Sequence, residues 1–410
     1  MVIKECLQFT KKYNDLKLLH TADWHLGQTF FEYDRRLEHS LFLEWLREQV
    51  GIHGIDVLLI AGDVFDGPNP SADSQRMYYR FLREVTAENP ELQVVIIAGN
   101  HDSAARLEAP HALLEMINVT VRGVVKRGVN GEIDFEHFVV PLNKGGYCLA
   151  VPYLRQGDYP EAESYAQGVR KMYEGVFQCV KGKVGPLVAM GHLQATGSEI
   201  SEHDRSERTV IGGLECVSPD SFDREIAYTA LGHLHRAQRV SGRENVRYAG
   251  APLPMSFAEK NNRQGVTLVE IADGMPRMER LPFEAPVRLL SIPAEAMPLE
   301  EVLESIRELP DGELTGRSPY LEIKVLISGP EPSLRHRIEE ALKGKSVRLA
   351  RLAAVTPQRD SEVKVMTYEE LRTIDPLEMA DDVFQRRYGG AAMPEEMKEL
   401  LQGVIREVGR

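Results

Sequence analysis

Five short polar turns hold the residues of this chain most able to do chemistry. In order they are Asp23-x-His25, Gly62-Asp63, Gly99-Asn100-His101-Asp102, Gly191-His192 and Gly232-His233-x-His235. Alone, each is a weak signal, because Asp-x-His and Gly-Asp are common in turns; their order and setting carry the weight. Carboxylate, amide and imidazole donors without a thiolate suit Mn2+, Fe2+ or Zn2+. Asp23, His25, Asp63, Asn100, His192, His233 and His235 are too many ligands for one ion that keeps an open position. Two divalent cations roughly 3.5–4 Å apart use them sensibly, with Asp63 as the natural bridge, and such a pair suits in-line attack at phosphorus. His101, directly after the amide ligand, is expected to face the substrate phosphate, where it would steady developing charge or protonate the leaving oxygen. Asp102 would orient that imidazole and favour its charged form, or cap the helix that begins near Ala104, and the two roles are compatible.

Something must bring these turns together. Each follows a short apolar run: Leu16–Leu19, Val57–Ile60, Val94–Ile97, Leu187–Met190 and Tyr228–Leu231. Continuous apolar runs read as buried strands, and the C-terminal ends of such strands are where α/β proteins place ligands. Glycine precedes four of the five turns, as a sharp bend or a close backbone approach requires. Between the runs lie apolar stripes at helical spacing, at Leu37, Leu41, Phe42, Trp45 and Leu46, at Met77, Phe81, Leu82 and Val85, and at Tyr165, Val169, Met172, Tyr173 and Val176. Gly265–Ile271 and Met278–Phe283 flank Asp273-Gly274 and predict a hairpin. The mixture predicts stacked β-sheets with helices outside.

Near Pro282–Pro286 the ligand-type turns stop. Strand Val287–Ile292, helix Leu299–Leu309, strand Tyr320–Ile327, helix Ser333–Leu342 and strand Val347–Val355 make a small α+β unit with no cluster of metal-type residues. After Thr356 come a charged linker and two helical segments, with Pro376 and Pro394 where a first-turn proline is tolerated. The last segment places Met397, Leu400, Leu401, Val404 and Ile405 on one side, a pattern suited to docking a partner.

Composition bounds the rest. The chain has 410 residues, 43% hydrophobic and 27% charged, which predicts two or three units of a soluble protein. No apolar stretch is long enough for a membrane span, residues 1–15 read as a flexible lead-in without a secretion signal, and four scattered cysteines suit a reducing cytoplasm. The formal net charge of −13 argues against a stand-alone tight nucleic-acid binder but not against DNA as a substrate, since bound cations offset the global sign.

The motifs also carry a resemblance. The series Asp-Trp-His, Gly-Asp-Val-Phe-Asp, Gly-Asn-His-Asp, Gly-His and Gly-His-Leu-His resembles the signature of calcineurin-like metallophosphoesterases. His20-Thr-Ala-Asp-Trp-His-Leu-Gly-Gln28, Ala61-Gly-Asp-Val-Phe-Asp66, Ala98-Gly-Asn-His-Asp-Ser103, Ala230-Leu-Gly-His-Leu-His-Arg236 and Arg247-Tyr-Ala-Gly-Ala-Pro-Leu-Pro-Met-Ser-Phe257 are, more narrowly, similar to the SbcD nuclease subunits. The likeness covers nearly the whole chain after Leu16. It implies an α/β fold: a four-layer metallophosphoesterase β-sandwich flanked by helices (residues 16–284), a small α+β capping domain (285–356), and a linker with C-terminal helices (357–410). It implies one ion on Asp23, His25, Asp63 and His235, another on Asp63, Asn100, His192 and His233, and His101 as the catalytic histidine. Two Mn2+ ions, cleavage of DNA at duplex ends and hairpins, homodimers, and a heterotetramer with an SbcC-type coiled-coil ATPase docked on the C-terminal helices follow from it. Asp66 stands where many archaeal and eukaryotic relatives carry histidine; orienting His101 or a water and shaping the loop both remain open for it. The competing expectation is a metallophosphatase for a phosphate monoester or small-molecule diester, because the ligand set does not identify the organic group on phosphate.

Overall fold

The computed structural model describes residues 15–199, 216–240, 242–327, 331–355, 375–387 and 393–408. The expected lead-in up to residue 14 and most of the charged linker lie outside them. Among the described residues no helix is long and apolar enough to cross a membrane.

All five apolar runs are strands, each a little longer than its apolar core: Leu16–Thr21, Val57–Ala61, Gln93–Ile97, Leu187–His192 and Ile226–Gly232. They do not share one sheet. The first three lie side by side in parallel in a six-stranded sheet, flanked by Val119–Arg122 and by the hairpin Gly265–Ala272/Met275–Pro282. The hairpin turns through Asp273 and Gly274, both at positive φ, as a tight two-residue turn demands. The other two lie in a second six-stranded sheet, between Arg243–Tyr248 and Tyr147–Ala150.

The sheets face each other. Leu18, Leu59, Val95 and Ile97 of the first pack with Cys148, Val188, Met190, Tyr228 and Ala230 of the second in one dry core. A buried hydrogen bond crosses it, between His20 Nδ1 and Tyr228 Oη at 2.8 Å, and burial first, then the charge of Arg280, pushes the His20 imidazole down to about 3. The outer face of the first sheet is covered by helices Arg36–His53 and Ala72–Glu88, which bring Phe42, Leu46, Phe81 and Leu82. Helix Tyr165–Gln178 covers the second with Val169, Met172, Tyr173 and Val176. The result is four layers, helix–sheet–sheet–helix, with apolar side chains on both faces of each sheet. That is why the ligand-bearing strands read as unbroken apolar runs.

Residues up to Val355 form one compact unit. Within it, Leu289–Pro298, Tyr320–Leu326 and Arg348–Val355 make a parallel three-stranded sheet. Helices Leu299–Arg307 and Leu334–Ala341 close its own core around Val302, Ile306, Ile323, Val325 and Ile338. The residues after Thr356 form a second unit, with helices Pro376–Arg387 and Glu395–Val408 tied by Met393 N donating to Asp381 Oδ1 at 3.1 Å.

Candidate metal centre

The five turns meet at one rim of the sandwich. The Asp23–Leu26 turn runs beside the Asp63–Phe65 turn like an extra strand pair: Asp23 N donates to Gly62 O at 3.0 Å, His25 N to Asp63 O at 3.0 Å and Leu26 N to Val64 O at 2.9 Å. Trp24 pins this turn to the helical layer. It is fully buried, its Nε1 donates to Thr21 Oγ1 at 2.8 Å, and its ring meets Phe42 and Phe81 edge-on at 5.9 and 5.4 Å. The helical stripes therefore also position the ligands. Asp23, His25, Asp63 and His233 all have positive φ, uncommon for non-glycine residues and typical of functional turns. Two glycines make the approach possible. A Cβ at Gly99 would lie 2.0 Å from Asp63 Oδ1, and one at Gly62, where φ is +91°, would lie 2.3 Å from His192 Nδ1.

The side chains sort into two groups that share Asp63. Donor atoms of Asp23, His25 and His235 lie within 4.8 Å of one another, and the His25 and His235 rings meet edge-on at 5.2 Å. In the second group Asn100 Oδ1 lies 2.9 Å from His192 Nε2 and 3.1 Å from His233 Nδ1. Asp63 Oδ2 sits between, 3.1 Å from His192 Nε2 and 3.7 Å from His25 Nε2. Asp23 also approaches both, since its Oδ1 accepts from His233 N at 2.9 Å and it clusters with Asp63 and His192. All seven residues expected as ligands are thus brought to one place.

The electrostatics fit divalent cations. Asp23 Oδ2 and His25 Nε2 are buried and make no hydrogen bond, so each presents a lone pair to the centre of the cluster. Burial pushes the Asp23 carboxyl upward. Burial opposes ionisation of Asp63 as well, yet the adjacent His192, with His25 and His101, holds that carboxyl well below the usual range. His192 responds in the opposite sense: burial disfavours its charge, but Asp63 lifts it to about 9. Positive charge is thus favoured beside the buried carboxylates, as a cation site requires.

His101 flanks the first group. Its N donates to Asp63 Oδ1 at 2.9 Å and its ring lies edge-on to His25 at 4.8 Å. Its Nδ1 lies 3.1 Å from the carbonyl oxygen of Asp66; a carbonyl only accepts, so Nδ1 carries the proton. Asp102 does not do what the sequence suggested. Its buried carboxylate turns to the backbone, accepting from Val64 N at 3.2 Å, Phe65 N at 2.9 Å and Gly99 N at 2.9 Å, so it braces the two central turns rather than the His101 ring. Nor does it cap the short helix Ala104–Glu108, whose N-cap position is Ser103. Burial and neighbouring Asp63 push its carboxyl up to about 6 despite those three N–H donors. Asp66 approaches His25, with Oδ1 3.2 Å from Nδ1.

Two residues at the site escaped the sequence reading. Glu259, buried, places Oε1 3.5 Å from His235 Nδ1. Arg155 is an exposed cation beside a ligand: its Nη2 donates to Asn100 O at 3.3 Å and its guanidinium lies over the Tyr153 ring at 5.3 Å. The Pro-Tyr-Leu-Arg run that carries it follows a buried strand, the one available signal.

The family model for calcineurin-like phosphoesterases matches residues 16–237, and one described as the type 5 capsule protein repressor C-terminal domain matches residues 285–388. The chain is 38% identical to the SbcD subunit of nuclease SbcCD from Rhodobacter capsulatus, over 84% of this chain and 88% of that protein. It is 29% identical to the SbcD subunit from Escherichia coli K12, over 94% of this chain and 96% of that one. With the Bacillus subtilis protein of the same name it shares 27% over 94% and 97%.

Proposed function

Because the chain belongs to the calcineurin-like phosphoesterases and, within them, to the SbcD subunits of SbcCD nucleases, we propose that it is a two-metal DNA nuclease that opens hairpins and trims duplex ends. The observation that carries this reading is the rim itself, where oxygen and nitrogen donors alone converge in two groups sharing the Asp63 carboxylate. One cation would be held by Asp23, His25, Asp63 and His235, the other by Asp63, Asn100, His192 and His233. Mn2+ suits this mixed oxygen and imidazole set. When bound, the cations supply Lewis acidity toward a phosphate oxygen and the attacking water.

The chain's own groups do the rest. His101, with its Nδ1 proton on the Asp66 carbonyl, keeps one orientation and uses Nε2 to steady charge on the phosphate or to protonate the leaving oxygen. Asp102 holds the Asp63 and Asn100 turns in register through three backbone N–H groups. Arg155 offers a cation to the phosphate backbone in a chain whose net charge is −13. Residues 285–356 act as a cap. The helices Pro376–Arg387 and Glu395–Val408 dock an SbcC-type coiled-coil ATPase, and two copies pair into a homodimer within a heterotetramer.

Hairpin cleavage in Mn2+, with and without an SbcC-type ATPase and ATP, tests substrate and partner together. A DNA hairpin should be cut, faster with the ATPase. Rapid hydrolysis of a phosphate monoester with no cleavage of any DNA would replace the nuclease by a phosphatase.

A further inference from the structure

Three of the clustered imidazoles face unlike partners through Nδ1. Nδ1 of His25 approaches Oδ1 of Asp66 at 3.2 Å, and Nδ1 of His235 approaches Oε1 of Glu259 at 3.5 Å, both as charge contacts rather than hydrogen bonds. Nδ1 of His192 instead meets the carbonyl oxygen of Ala61 at 2.9 Å. A carboxylate behind an imidazole fixes its tautomer and makes it a more basic ligand, whereas a carbonyl fixes the tautomer without adding charge.

Glu259 has no other evident task. It is 1% exposed, its Oε2 accepts from Met255 N at 2.9 Å, and its Oε1 makes no hydrogen bond. A buried carboxylate is costly unless something charged or strongly polar faces it, and here that is a ligand imidazole. The turn that holds it is firmly placed, because Arg35 Nη1 donates to Pro254 O at 2.9 Å and Phe257 packs against Phe30, Val287 and Tyr320. Asp66, with a side chain 42% exposed, does the same for His25 from the solvent side.

The two groups therefore differ in charge. Asp23 and Asp63 approach both groups, whereas Asp66 stands behind His25, Glu259 behind His235 and only a carbonyl behind His192. We propose that the two metal positions are unequal by construction. Asp66 and Glu259 are positioning residues that make the Asp23–His25–His235 position the tighter one, filled first, and the Asn100–His192–His233 position is the one that loads last and exchanges. This rests on the two-metal reading above.

Titration of the metal-stripped full chain with Mn2+, followed by calorimetry and by the spin resonance of free Mn2+, separates the two ideas. The wild type should bind two ions in steps more than about tenfold apart. Glu259→Gln should weaken the first step by about 10–100-fold and leave the second nearly unchanged, and Asp66→Asn should act the same way by about tenfold. DNA cleavage by Glu259→Gln should recover as Mn2+ is raised. Should Glu259→Gln fail to fold, as judged by its melting in a chelator, Asp66→Asn at its part-exposed site carries the test. A wild type that binds fewer than two ions defeats the two-metal reading itself. Two equal steps, variants that leave the first step intact, or variants that weaken both steps alike overturn the inequality and leave that reading standing.

Discussion

The rim of the sandwich and the capping sheet are built in the same compact unit by opposite means. At the rim, Asp23, His25, Asp63, His192 and His235 are buried together, and four ligand residues sit at positive φ. In the cap the described core is aliphatic, and the buried polar side chains are Ser318 and Glu322, the latter met by Ser291, Arg351 and Lys324. The rim concentrates like charge and bent backbone where only a cation or a proton relieves them. The cap obeys the ordinary rules of amphipathic packing. Such strain persists only when the surroundings over-determine it, so the dry inter-sheet core and the helical layers serve the rim as much as themselves.

The sharpest way to break the contrast is to remove the shared carboxylate. Asp63→Asn keeps the shape of the side chain but deletes the charge that both ligand groups face. Nuclease turnover should fall by about 10⁴-fold or more, and Mn2+ titration should lose its two-ion stoichiometry. Turnover within tenfold of wild type would show that the rim is not the reacting centre.

His101→Ala probes the rim without touching its ligands. Hairpin cleavage should fall by about 10²–10⁴-fold while two Mn2+ ions still bind, since the ring supplies a proton or charge stabilisation rather than a ligand. Lost metal binding in this variant would instead make His101 part of the cage.

Why so much of the rim was legible, and some not, follows from how far each signal reaches along the chain. The ligand-bearing strands are buried on both faces, so Val57–Ala61 and Gln93–Ile97 announce themselves as apolar runs. Arg243–Tyr248 lies toward the sheet edge with only Val246 and Tyr248 buried, and its charged sequence carries no sign of a strand. The capping strands and helices were legible because each is amphipathic on its own. Asp102 was misread because its neighbour in sequence is not its partner in space: its carboxylate reaches across 37 residues to Phe65 N. Glu259 was missed for the same reason, since only the folded turn at Pro254–Phe257 turns an ordinary glutamate into one buried against His235. Division of the strands between two sheets was equally invisible, because an apolar run does not say which sheet it joins.

The cap offers the matching test of ordinary packing. Ile323, on the middle strand of the capping sheet, is fully buried in the core that the two capping helices close. Ile323→Ala should lower stability by about 2–5 kcal/mol in denaturant melts and leave the Mn2+ stoichiometry at the rim untouched. A change in the rim's metal binding would mean that the two regions are not as separate in their energetics as their residue types imply.

The smallest effect lies where they touch. Tyr320 of the capping sheet donates its Oη to Glu38 Oε1 at 2.8 Å, and Glu38 also receives Arg35 Nε and Nη2 at 3.1 and 3.0 Å. Arg35 in turn holds Pro254 O, at the start of the turn that carries Glu259. The Arg348 guanidinium lies over the Tyr320 ring at 4.0 Å, and that ring packs on Phe30, so Tyr320→Phe keeps the ring contacts and removes only the donor. Glu38 retains its two-pronged pairing with Arg35, so the loss should be near 1 kcal/mol, roughly the scale of one hydrogen bond to a group already partly satisfied. If Tyr320→Phe also weakens the first Mn2+ step, the buried path from cap to Glu259 transmits more than stability, and the rim answers to the position of the cap. If it changes melting alone, the cap is held to the sandwich by that bond without tuning the ligands.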